Sequence, residues 1–251
     1  MERRRGISWH AAGRLLLLAV AAVGVIAFAH SPWCTVREVT VSGNRRVSAG
    51  EIKALSGIVT GVNIFEVDTE AAARAVTVHP FLRSARVTRW LPAQIRIEVV
   101  ERRPWAVIST SDSFLIIDDT GACLDRIDSL EGTDLPFISI SGLPAGIAPG
   151  DSVPTRAVNA IRACMALLPA DVLARVSEFR YQQDLQLLLY TVQGTEIRVG
   201  DGERLEEKAA LVANFVRMED TLAGQGTLAY VDLRFKGKPV IRYAEGGQRG
   251  E

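Results

Sequence analysis

Leu82-Arg83-Ser84-Ala85-Arg86-Val87-Thr88-Arg89-Trp90-Leu91-Pro92-Ala93-Gln94-Ile95-Arg96-Ile97-Glu98-Val99-Val100 is the stretch that decides the fold of the first half of the chain. In Gln94–Val100, Ile95, Ile97 and Val99 alternate with Arg96 and Glu98, the period-2 pattern of a strand with one buried face. Leu82–Trp90 also reads as a strand, with Ala85 and Val87 on one face. Leu91-Pro92-Ala93 joins the two as a short hairpin loop. Upstream, His79-Pro80 stops a helix, since proline lacks the N–H that the next turn needs. Ala72, Ala75 and Val76 recur there at helical spacing, and Asp68 can cap the first turn. Ser48-Ala49-Gly50-Glu51 fits a capping box that opens an earlier short helix, with Ile52 and Leu55 inward and an end near Gly57. Val36–Ser42 reads as a strand with Val39 and Val41 on one face, closed by the turn pair Gly43-Asn44. The expected order over residues 34–105 is therefore strand–helix–helix–strand–strand.

The segment before this domain has a different character. Leu15–Phe28 is uncharged and almost wholly apolar, and Ala11–Pro32 supplies the ~20 residues a membrane-spanning helix needs. Trp9 and Trp33 bracket the span as interfacial aromatics would, and Arg14 is close enough to its end to snorkel. Arg3, Arg4 and Arg5 precede it and only Arg37 closely follows, so the positive-inside rule puts the N-terminus in the cytoplasm. Residues 1–10 are then a cytoplasmic tail and 11–33 a transmembrane helix. The rival reading is a cleaved signal peptide, for which Ala27-Phe28-Ala29 is an A-x-A-like site. Both readings put the bulk of the chain across a membrane.

Downstream, residues 106–243 read as a second, mixed α/β domain with a largely antiparallel sheet. Trp105–Ser109 and Phe114–Asp118 are meander strands, and Asp118-Asp119-Thr120-Gly121 is the turn at the end of the second. Leu135 to Gly150 is rich in Gly and Pro and reads as loop. Thr155 is placed to cap a helix with Val158, Ile161 and Met165 on one face, stopped by Pro169. Further strands are expected at Val176–Tyr181, Leu185–Val192 and Thr195–Val199, with Gly194 at a hairpin. A long helix from about Gly202 to Met218 carries Leu205, Ala209, Val212 and Val216 inward, while Glu203, Arg204, Glu206, Glu207 and Lys208 form a solvated face. Thr227–Phe235 and Val240–Tyr243 close the domain as strands, and 244–251 is expected to be a disordered tail.

Several function classes are disfavoured. The chain is neutral overall, but residues 1–36 carry a net +3 and the remainder a net −3, and phosphate binding requires a basic footprint instead. Cys34, Cys123 and Cys164 are too few and too scattered for a disulfide framework or a zinc site, although a Cys123–Cys164 bridge is open. The run Phe114–Gly121 ends in Asp118-Asp119-Thr120-Gly121 and resembles an aspartic-protease loop, yet only one Asp-Thr-Gly is present and the motif is ordinary turn chemistry. His10, His30 and His79 are too far apart to form a metal cluster, and no P-loop, H-E-x-x-H or G-x-S-x-G motif occurs. Gly200-Asp201-Gly202 lacks the lysine and third glycine of a nucleotide loop and reads as helix entry. The expectation is a non-enzymatic protein with no cofactor, metal, nucleic acid or small-molecule substrate.

Strand, two helices and two strands directly after a membrane span resemble a POTRA domain. The wording is specific: Val39-Thr40-Val41-Ser42-Gly43-Asn44, Gly61-Val62-Asn63-Ile64-Phe65, His79-Pro80-Phe81-Leu82, Ile97-Glu98-Val99-Val100-Glu101-Arg102-Arg103-Pro104 and the closing Tyr230-Val231-Asp232-Leu233-Arg234-Phe235. In this order and spacing they resemble the FtsQ/DivIB family of bacterial cell-division proteins, with Phe81 where the family often has Trp. The resemblance implies an α+β fold: a transmembrane helix, a POTRA domain and an FtsQ-type β domain. It also implies a divisome scaffold in the cytoplasmic (inner) membrane at the septum, with its C-terminal domains outside. Its implied partners are FtsB, paired with FtsL, at the closing strand, which maps onto Arg234, Phe235, Val240, Ile241, Arg242 and Tyr243. An upstream division protein such as FtsK would meet the POTRA edge at Val39, Val41, Gly43 and Asn44. The alternative is a POTRA-bearing secretion or outer-membrane assembly component.

Overall fold

A computed structural model describes residues 9–184, 186–223 and 228–243. Most of the expected cytoplasmic tail, Leu185, Thr227 and the expected C-terminal tail lie outside the described residues. The chain divides into two compact units, Met1–Glu101 and Arg102–Glu251, so the boundary falls a few residues before the expected 105/106.

In the first unit, helix α1 covers Trp9–Ala29 and a single 3-10 turn covers Pro32–Cys34. The expected span to residue 33 is shortened because Pro32 cannot continue an α-helix. Large side chains from Leu15 to Phe28 are more than half exposed. Among the described residues no helix is long and apolar enough to cross a membrane.

β1 (Glu38–Ser42), α2 (Ala49–Ser56), α3 (Thr69–Val76), β2 (Leu82–Trp90) and β3 (Gln94–Glu101) come next, in the predicted order. β3 is central, parallel to β1 and antiparallel to β2. A parallel neighbour demands a long crossover, which α2 and α3 provide. Ile95, Ile97 and Val99 of β3 are buried in one core with Ile52 of α2 and Ala72 and Val76 of α3. The helix ends are satisfied as the residue types require. Ser48 Oγ accepts the Glu51 N–H at 3.1 Å, Gly57 takes φ 64° after α2, and Asp68 Oδ1 accepts the N–H groups of Glu70 and Ala71 at 3.0 and 2.9 Å. The Glu51 carboxylate meets His79 Nε2 at 3.2 Å. His79 Nδ1 accepts the Phe81 N–H, which leaves the hydrogen on Nε2.

The second unit is a nine-stranded sheet in the order β12-β11-β10-β9-β8-β7-β4-β5-β6. Its strands are β4 (Ala106–Ser109), β5 (Phe114–Ile117), β6 (Cys123–Ile127), β7 (Phe137–Ile140), β8 (Val176–Tyr181), β9 (Leu187–Thr191), β10 (Glu196–Gly200), β11 (Leu228–Asp232) and β12 (Val240–Tyr243). Helices α4 (Thr155–Leu167), α5 (Ala170–Leu173) and α6 (Leu205–Ala223) supply the apolar side chains that share one core with the sheet. The sheet is antiparallel except at the β4/β7, β7/β8 and β10/β11 seams.

The structure departs from the sequence reading at several places. β6 has no counterpart in that reading, and β7 falls inside the stretch read as loop: it has four residues and pairs in parallel with sequence-distant β4 and β8, so no hairpin signal announces it. Thr155 is the first residue of α4 rather than its cap; Pro154 takes the cap position and supplies no side-chain bond. α5 begins directly after Pro169, which therefore starts a helix as well as stopping one. Lys208 is not on the solvated face. It is 2% exposed, with Nζ 3.7 Å from Asp201 Oδ1, because its spacing from Leu205 and Val212 puts it on the inward stripe. Cys34, Cys123 and Cys164 are all buried and unbridged, and burial pushes the Cys164 thiol up to about 12, so it stays protonated and inert.

Candidate functional site

The resemblance points to the sheet edges. Among the described residues, β12 is the terminal strand of the second sheet and pairs only with β11. The register Tyr230↔Arg242 and Asp232↔Val240 puts Arg242 and Val240 on one face; Val231↔Ile241 puts Ile241 on the other. Val240 is 51% exposed and Ile241 38%. Tyr243 is half-buried against the core, whereas Phe235 is 67% exposed. β11 stops at Asp232, so Phe235 sits in the β11–β12 connection and not in the strand expected to reach it.

That connection is held from two sides. The Asp232 carboxylate accepts the Arg234 N–H at 3.0 Å and the forked guanidinium through Nε at 3.0 Å and Nη2 at 2.7 Å. Arg234 thereby holds the Asp232 carboxyl below the usual range despite opposing burial. Arg234 is thus committed to Asp232. From the turn just before α6, Arg204 Nη2 donates to the Phe235 carbonyl at 3.2 Å. Arg204 adopts φ 52°, a left-handed conformation that costs a non-glycine residue about 1 kcal/mol or more. Gly200 lies so close that an added Cβ would stand 3.0 Å from Arg234 Cγ.

Two rows of side chains run across the sheet to this edge. Register aligns Glu178, Tyr190, Glu196, Tyr230 and Arg242 in one row, and Arg180, Leu188, Arg198, Asp232 and Val240 in the next. Arg180 binds Glu178 at 2.9 and 3.1 Å, and Tyr190 Oη donates to Glu196 Oε2 at 2.8 Å. The Arg180 and Arg198 guanidiniums lie 4.7 and 4.2 Å over the Tyr190 and Tyr230 rings. Burial raises the Glu196 carboxyl, but the bonds from Arg198 and Tyr190 outweigh it and hold the pKa below its usual value. Sequence reasoning missed this ladder, although a signal was present. Within the strands of this sheet an acid precedes an arginine by two residues at Glu178/Arg180 and Glu196/Arg198, a spacing that puts both on one face of a strand, and the same spacing recurs at Asp232/Arg234 where β11 ends.

In the first unit, β1 is an edge strand beside β3. Val39 points into the core at 7% exposure and Val41 packs against it. Gly43 takes φ 88°, and a Cβ there would come 2.1 Å from the Val99 carbonyl oxygen. Asn44 Nδ2 closes the turn on the Val47 carbonyl at 2.9 Å. The Glu101 carboxylate then accepts the N–H groups of Arg45, Arg46 and Val47. Val39, Val41, Gly43 and Asn44 are thus engaged within the first unit itself.

Asp118, the aspartic-protease candidate, is saturated. Its carboxylate, 2% exposed, accepts Arg102 Nη1 at 2.7 Å, Thr120 Oγ1 at 2.7 Å, and the N–H groups of Thr120 and Ala122 at 2.9 Å each. Burial pushes the carboxyl up, and these bonds more than reverse it, so the pKa is lowered and the group is an anion that locks a turn. Among the described residues no group of three or more His, Cys, Asp or Glu could hold a metal ion.

Comparison with known proteins bears on both units. The family model "POTRA domain, FtsQ-type" matches residues 34–102, and "Cell division protein FtsQ/DivIB, C-terminal" matches 106–234. A Cell division protein FtsQ from Anaeromyxobacter sp. (strain K) is 30% identical, covering 100% of this chain and 87% of that one. Another from Syntrophotalea carbinolica is 29% identical over 94% of this chain and 83% of its own.

Proposed function

The chain belongs to the FtsQ/DivIB family of cell-division proteins, and on that premise we propose that it is a non-enzymatic divisome scaffold that docks partner proteins on its open sheet edges. The observation that carries the reading is β12: a terminal strand with Val240, Ile241 and Arg242 exposed. An extended segment of FtsB, delivered with FtsL, adds there as the next strand. Backbone bonds supply affinity and alternate side chains supply specificity. The partner residue beside Arg242 is acidic, continuing the row of paired charges, and Phe235 is the aromatic anchor. FtsK engages the β1 edge of the first unit, so that one chain links early and late assembly at the septum.

Anchoring in the inner membrane completes the proposal, with residues 1–10 in the cytoplasm and both folded units outside. The uncharged, apolar run Leu15–Phe28 after Arg3, Arg4 and Arg5 carries this part of the reading, although no helix among the described residues is long and apolar enough to cross a membrane. The leucines and valines of α1 are exposed, and Trp9 at its start and Trp33 in the 3-10 turn that follows it are 94% and 69% exposed. Co-purification of FtsB with Phe235→Ala, Ile241→Asp and Arg242→Glu variants is the test. Each is expected to weaken capture, and Arg242→Glu is expected to be rescued by an acid-to-lysine change in the partner. Undiminished capture by the folded triple variant refutes the edge.

A further inference from the structure

We propose that the first unit is seated on the bilayer rather than hung from it, with Trp33, Val62 and Phe65 forming an apolar collar at the headgroup–acyl boundary where α1 ends. The proposal rests on the reading that α1 crosses the membrane. A helix leaves its last carbonyls without intrahelical partners, and at a membrane exit those groups need donors. Here the donor comes from the folded domain: Asn63 Nδ2 donates to the Ala29 carbonyl at 2.7 Å. The same side chain's Oδ1 accepts the Phe65 N–H at 2.9 Å. One asparagine therefore ties the end of α1 to the residue that carries an exposed ring.

Further bonds make the junction stiff. Cys34 Sγ lies 3.4 Å from the Phe28 carbonyl, and the Ile64 N–H donates to the Cys34 carbonyl at 2.8 Å. The Val36 N–H donates to the Val62 carbonyl and the Gly61 N–H returns to the Val36 carbonyl, each at 2.8 Å. Arg89 grips the far side of the loop through the carbonyls of Ile64 and Val67 at 2.9 and 2.7 Å. Within this clamp Trp33 is 69% exposed, Phe65 47% and Val62 39%, while the intervening Cys34 and Ile64 are buried. Large apolar side chains held open beside a membrane exit fit the interfacial zone, where aromatic residues concentrate. The occupant is the lipid surface, because the helix end that enters lipid is fixed to these same residues.

The test uses the full chain reconstituted in phospholipid vesicles, with an environment-sensitive fluorophore on Phe65→Cys, Val62→Cys or the exposed control Glu131→Cys. Labels at 65 and 62 are expected to shift to the blue and to be quenched by headgroup-level nitroxide lipids, with neither effect at 131. Adding Asn63→Ala is expected to lose the shift at 65 while the protein still floats with the vesicles. Water-like emission at 65 and 62 in protein that floats and resists carbonate extraction overturns the collar and leaves the anchor standing. Failure to float or resist extraction overturns the anchor and the collar with it. Equal quenching at 131 overturns the collar by showing general adsorption.

Discussion

Replacing Asp118 by alanine removes one carboxylate and strands four groups: the Arg102 guanidinium, 23% exposed, the Thr120 hydroxyl, and the N–H groups of Thr120 and Ala122. Removing one partner of a buried ion pair costs about 3–5 kcal/mol, most of it from leaving the other charge unpaired. Asparagine should cost less, about 2 kcal/mol, because its carbonyl still accepts the two N–H groups and only the charge-assisted part is lost. For a unit of this size that corresponds to a melting temperature lowered by about 8–16 °C for Asp118→Ala and about half of that or less for Asp118→Asn. Acid unfolding supplies a second readout with a fixed sign. The folded pKa is lowered, so the stabilisation is complete above the unfolded value of ~3.9 and disappears as pH falls through the depressed folded value. The wild type should therefore show a steeper loss of stability below about pH 4 than Asp118→Asn does. Urea and thermal unfolding followed by tryptophan fluorescence are suitable, since Trp105 is bonded to Ile117 at the start of the same meander. An Asp118→Ala variant within ~0.5 kcal/mol of wild type, or acid limbs that coincide, refutes the assignment of this carboxylate as the lock of the turn.

Substitutions at four further positions probe other parts of the structure. Gly43→Ala combines a left-handed φ with a Cβ 2.1 Å from backbone, so the first unit should lose several-fold more protection in hydrogen exchange than it does with Gly50→Ala, where the Cβ meets nothing closer than 4.0 Å. Lys208→Met keeps the buried stem and removes the charge, and should leave thermal stability nearly unchanged, whereas Lys208→Ala opens a cavity and should cost about 2 kcal/mol or more in urea unfolding. Arg204→Ala releases the Phe235 carbonyl and should weaken partner capture about fivefold in a binding titration, with little change in urea midpoint.

The first unit was legible because its signals are local. The alternation of Ile95, Ile97 and Val99, the caps at Ser48 and Asp68, and Gly57 at the end of α2 all act within a few residues, and each sits where its chemistry puts it. The second unit was legible where hairpins and periodic helices build it, and opaque where distant segments meet. β7 exists because β4 and β8 flank it, and nothing in Phe137–Ile140 announces those neighbours. Lys208 was misjudged by residue type although its position on the stripe was readable. At the candidate edge, the sequence placed Val240–Tyr243 in a terminal strand but could not show that Arg234 is spent on Asp232, or that Tyr243 leans on the core. The motif residues Glu101 and Arg102 gain their reason only in three dimensions: one closes the Arg45–Val47 turn, the other pairs with Asp118.

The measurement that bears most directly on partner docking is amide hydrogen exchange of the full chain with and without the FtsB–FtsL pair. Strand addition predicts strong new protection at Val240–Tyr243, with the opposite edge strand β6 unchanged. A complex that forms while the β12 amides exchange as fast as in the free chain contradicts it.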